Sequence, residues 1–137
     1  MNLSQIKSRY AGIQTKMRQI GDYGCLFLAL CTIIEEVTGK PIDLITVIQE
    51  SKSKGWLAED YTVTDSLSLL EAFTGKKWWR DIERKLPDVI ADNQFTIEKW
   101  HNARTGYTHF KRRFVDTLTS SVTVKEGKIR EYYIYSY

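Results

Sequence analysis

The chain has 137 residues, 42% of them hydrophobic, and a net charge of +3 from 20 basic and 17 acidic side chains. That length suits one domain with a real core, and so mild a charge does not imply nucleic acid. No run reaches the roughly 18 to 20 apolar residues of a membrane span, and the polar start Met1-Asn2-Leu3-Ser4-Gln5 lacks a signal-peptide core, so a cytoplasmic protein without membrane contact is expected.

Ile6, Tyr10, Ile13 and Met17 recur at helical spacing and predict a short helix or an irregular arm. The segment Gln19-Ile20-Gly21-Asp22-Tyr23-Gly24-Cys25 then leads into an apolar run at 26–34. Between Cys25 and Val37 the only charged residues are Glu35 and Glu36, so a helix here is apolar around most of its circumference and must be buried. Gly21 and Gly24 loosen its entry, Asp22 or Tyr23 lies near its cap, and Gly39-Lys40-Pro41 stops it. A second helix is expected from Pro41, with Ile42, Ile45, Val47 and Ile48 as its apolar face, and a third over 64–75, with a Thr or Asp cap and a terminal glycine.

Past Gly75 the pattern turns to strands. Lys77-Trp78-Trp79-Arg80 reads as a short strand, residues 94–100 alternate with period two, and Tyr107-Thr108-His109-Phe110 opens another β segment that continues to Phe114-Val115. Residues 122–125 and 129–135 flank Glu126-Gly127-Lys128, which suits a tight hairpin. The expected fold is α+β, with N-terminal helices and a central helix packed on a C-terminal antiparallel sheet.

Cys25 falls in the first turn of the central helix, where unpaired N–H groups and the helix dipole favour a thiolate over a thiol. It is the candidate nucleophile. Cys31, inside the apolar run, reads as core, and two cysteines on one helix face different ways, so no disulfide is expected and the compartment is a reducing one. The Gln19 amide and the Cys25 backbone N–H would form an oxyanion hole. A thiolate needs a base and the base an orienting acceptor; of the two histidines, His109 in its β segment is preferred over His101 in a polar turn, with Asp116 as orienter on the adjacent strand or just beyond it. Neither cysteines nor histidines show metal-ligand spacing, and no cofactor is implied.

Gln, then Cys at a helix start, then His on a strand, then Asp, in that chain order, resembles the papain-like cysteine peptidase fold. Within it the chain resembles the branch of leader-cleaving peptidases of bacteriocin transporters, and an uncharacterised group of small proteins from phages, prophages and spirochaete plasmids. The residues that carry the likeness are Gln19 to Cys25 with the helix after it, Gly55-Trp56 through Val63-Thr64-Asp65, Thr108-His109-Phe110, and Asp116 to Tyr135, the most specific part being Asp116 followed by Ser121-Val122-Thr123-Val124-Lys125-Glu126-Gly127-Lys128. The resemblance implies a thiol hydrolase acting on a peptide, an isopeptide or a peptidoglycan crosslink, with Cys25 as nucleophile, His109 as base, Asp116 as orienter and Gln19 as oxyanion-hole amide. Thr117 stands where relatives often have proline, and the six residues between His109 and Asp116 carry no Gly or Asn for a turn. The competing function is an inactive papain-like binding protein that engages a host protein.

The basic residues Lys7, Arg9, Lys16, Arg18 and Lys111-Arg112-Arg113 read as a solvated face; a small nucleic-acid binder ranks last. Trp78, Trp79 and Trp100 read as packing residues and receive no binding role. Tyr133, Tyr135 and Tyr137 on the terminal strand, taken as a sheet edge, suggest a homo-oligomer contact.

Overall fold

The structure is a computed structural model that describes residues 1–20 and 23–137, apart from the side chain of Arg18. The readings placed on Gly21 and Asp22 lie outside the described residues. Among the described residues, six helices and four strands follow the order α1 Leu3–Tyr10, α2 Ile13–Lys16, α3 Cys25–Thr38, α4 Leu44–Ser53, α5 Ser66–Thr74, β1 Trp79–Glu83, β2 Gln94–His101, β3 Thr108–Arg112, α6 Val122–Lys125 and β4 Lys128–Ser136. A 3-10 turn, Arg18–Ile20, leads toward α3.

Helix α3 is the centre of the core, as its composition requires. Every residue from Phe27 to Glu35 is buried, and Gly39, in the left-handed region at φ 71°, caps its C-terminal end. The cost of burying Glu35 in the last turn of this helix is offset by three donors: Arg9 Nη2–H at 2.7 Å, Arg9 Nε–H at 3.3 Å and the Ile42 N–H at 2.9 Å. One carboxylate therefore ties α1, α3 and the loop before α4 together. Helix α1 begins in a reciprocal capping box between Asn2 and Gln5, and its Ile6 and Tyr10, one turn apart, are both buried. Asp43 caps α4, so Pro41 precedes that helix rather than opening it, and Asp65 caps α5.

The four strands form one antiparallel sheet in the order β1-β4-β2-β3. The terminal strand β4 lies between β1 and β2, not at an edge, which removes the expected edge contact at Tyr133 and Tyr135; the free edges belong to β1 and β3. Residues 122–125 form a helical turn instead of the first arm of a hairpin. The Ser121 side chain accepts from the Val124 N–H and starts that turn, and it ends where Gly127 packs so closely that an added Cβ would lie 2.7 Å from the His101 carbonyl oxygen.

The basic triplet after His109 is not simply solvated. Arg112 is buried, with Nη2 donating to Glu36 Oε2 at 2.6 Å and Nη1 to Thr32 Oγ1 at 3.4 Å. Cys25, Thr32 and Glu36 stand two turns and then one turn apart along one face of α3, and that face is applied to β3. The Arg112 clamp at one end thus fixes where Cys25 meets the strand at the other. Of the tryptophans, Trp78 is core, whereas Trp79 on edge strand β1 is largely exposed. No helix among the described residues is long and apolar enough to cross a membrane.

Candidate active site

Cys25 opens α3 directly after its N-cap, Gly24. The glycine is needed for space, not for an unusual dihedral: its φ is −85°, but an added Cβ would lie 1.7 Å from Ile20 Cγ2. Cys25 is buried against the free edge of β3, where the Phe110 N–H, a donor that points away from β2, reaches its Sγ at 3.4 Å. Edge-strand geometry therefore supplies a hydrogen bond to the sulfur.

His109 precedes Phe110 on β3 and is itself buried, 3% exposed. Its Nε2–H donates to Asp116 Oδ1 at 3.1 Å, and it is also hydrogen-bonded to the Cys25 side chain, for which Nδ1 is the ring nitrogen that remains. The chain reverses between His109 and Asp116 without glycine or asparagine: Phe114 takes up φ 68° and the Val115 N–H bonds the Arg112 carbonyl. Asp116 then sits just beyond β3, where its Oδ1 also accepts from the Leu118 N–H at 3.1 Å.

The electrostatics follow from this arrangement. Desolvation lowers the His109 pKa, but the hydrogen bonds to Asp116 and Cys25, with their charges, outweigh it and push the value up to about 9. Burial pushes the Asp116 carboxyl up, yet the hydrogen bonds from His109 and the Leu118 N–H and the charges of His109 and Lys111 hold it below its usual value. Cys31 has a different fate: burial, then the charge of Glu35, push its thiol well above the ordinary value. Cys25, by contrast, adjoins His109.

Cys25 and His109 open onto a groove of about 770 Å³. Phe110, Tyr133, Arg80, Tyr107 and the segment 118–123 line it. Gln19 does not line it; this residue is exposed in the 3-10 turn before α3. A different glutamine does. Gln14, in α2, is 4% exposed and lines the groove; its backbone N–H bonds the Thr117 carbonyl at 2.9 Å, and its Oε1 accepts from Thr117 Oγ1 at 3.3 Å. With the carbonyl end held by Thr117, the amide is oriented by the residue that follows Asp116. Nothing in the sequence spacing singled out Gln14, because its partner lies 103 positions away.

No family model, curated protein or solved structure matches the chain. The class its fold defines is a mixed α+β protein with a four-stranded antiparallel sheet, in which Cys25, His109 and Asp116 come together.

Proposed function

We propose that the protein is a thiol hydrolase of papain-like type, a cysteine peptidase or amidase that cleaves a peptide or isopeptide bond. The observation that carries this reading is the buried His109 hydrogen-bonded on one side to Asp116 and on the other to Cys25. In the reaction the Cys25 sulfur, paired with the His109 imidazolium, adds to the amide carbonyl carbon. The C–N bond then breaks as His109 gives its proton to the departing amine, leaving a thioester on Cys25. Water deprotonated by His109 adds to that thioester, the C–S bond breaks, and Cys25 returns as the sulfur anion. The carbonyl oxygen, negative in each addition step, is received by the Cys25 backbone N–H at the start of α3 and by the side-chain amide of Gln14 in place of Gln19. Asp116 keeps Nε2 protonated and the ring turned so that Nδ1 serves the sulfur.

The test is the rate of iodoacetamide labelling at pH 7, located by peptide mass spectrometry. Cys25 is expected to label well ahead of Cys31, and His109→Ala to slow it roughly tenfold or more, because the imidazole beside the sulfur takes up the proton that alkylation displaces. Slow labelling of Cys25, equal in wild type and variant, would remove the catalytic reading in favour of a binding protein on the same scaffold.

A further inference from the structure

The groove is sided in charge. Among the described residues that line it there is no aspartate or glutamate, and Arg80 is the one permanently cationic side chain. Arg80 makes no ion pair with a carboxylate among the described residues. It is nonetheless held in place: its guanidinium carbon lies 5.6 Å from the centre of the Tyr133 ring, and it stands across from Tyr135 in the strand register. Tyr133 in turn packs on Phe110, ring centres 5.3 Å apart, and the Phe110 N–H bonds the Cys25 sulfur. Register explains the alignment. Arg80 pairs with Tyr135 across β1 and β4, and side chains on alternate residues of neighbouring strands share one face of the sheet.

We infer that Arg80 is a specificity-determining residue, and that the groove takes a substrate bearing a carboxylate a few residues from the bond to be cleaved. This rests on the thiol-hydrolase reading of the same groove. The span from the Phe110 ring through Tyr133 to Arg80 is at most about 11 Å from the two contacts of 5.3 and 5.6 Å, or roughly three residues of extended chain. The apolar floor made by Phe110 and Tyr133 accepts the intervening side chains, and the guanidinium accepts the carboxylate with charge-assisted hydrogen bonds. Lys99, on the same face, lies over both rings but is already paired with Glu131 at 3.6 Å, which leaves Arg80 as the cation available to a ligand.

The experiment uses peptides that carry a cysteine-directed electrophile, in pairs that differ only by Glu or Gln at the second, third or fourth position from it. Vinyl sulfones at the C-terminus probe one direction along the groove, and chloroacetyl groups at the N-terminus probe the other. The readout is the second-order rate of adduct formation at Cys25. In one direction the Glu probe is expected to react about tenfold faster than its Gln twin in wild type, an advantage that shrinks in high salt. Arg80→Gln abolishes that advantage, and Arg80→Lys keeps part of it. Equal rates for Glu and Gln probes at every position, or an advantage that survives Arg80→Gln, would overturn the inference and leave the hydrolase reading standing. Failure of every probe, together with slow iodoacetamide labelling, would remove both. Arg80 is exposed, and matching thermal melts of the variants establish that the fold is intact.

Discussion

Removing the Asp116 charge, as Asp116→Asn, tests the electrostatic heart of the site. His109 titrates at about 9 against an ordinary value of 6.5, and each pK unit is worth 1.36 kcal/mol, so the protonated ring contributes about 3 kcal/mol to folding. The sign is that of a raised group: this stability is fully present below pH 6.5 and is lost as pH rises through about 9. Asp116, held below its usual value, works in the other direction; its share is present above the ordinary carboxyl range and is lost as pH falls through the lowered value. The His109 imidazole can be followed by proton NMR in a His101→Gln background, which leaves a single histidine. In that background the His109 signal should titrate near 9, and Asp116→Asn should bring it down by one unit or more. Denaturant melts at pH 6 and pH 10 should show the background protein losing about 3 kcal/mol more than His109→Gln over that interval. A midpoint at or below 6.5, or a pH dependence identical with and without His109, would refute the proposed imidazolium.

Arg9→Met leaves the fully buried Glu35 with only the Ile42 N–H as donor, and should cost about 3 kcal/mol in a urea melt; no loss would mean the carboxylate is satisfied in another way. Gly24→Ala forces a methyl onto Ile20, and should destabilise by about 1–3 kcal/mol while slowing Cys25 labelling. Adding Ile20→Leu, which removes the clashing Cγ2 branch, should restore part of both; an additive double mutant would show that the contact is not the cause. Once a cleavable substrate is in hand, Gln14→Ala should lower kcat about a hundredfold with Cys25 labelling little changed, and Gln19→Ala should leave kcat within a factor of two. The opposite order would return the oxyanion role to Gln19.

Much of the scaffold could be read from residues in isolation. The run behind Cys25 has no polar face to offer water, so it had to become the buried helix; Gly39 and Gly75 mark its end and that of α5 because an L side chain resists the left-handed dihedral those ends adopt. Period-two alternation located β2 and, more loosely, β3. The same local rules failed at residues 122–125, where β-branched side chains suggested a strand. There a serine cap three residues from its partner and the close approach of Gly127 to the His101 carbonyl settled the matter, and the second contact has no signature in neighbouring residues.

Chain order alone suggested Cys25, His109 and Asp116 as candidates, since a helix start, a strand and a later carboxylate are visible one residue at a time. What the tertiary structure decided is how they come within reach: a turn through Phe114 at positive φ, and the Arg112 ion pair to Glu36 that sets α3 against β3. It also decided which glutamine enters the groove, Gln14 and not Gln19, and which strand is interior, β4 and not β1. The division has a physical cause. Periodicity and capping act between residues a few positions apart, whereas strand order and the orientation of Gln14 depend on partners brought together only when the whole chain has folded.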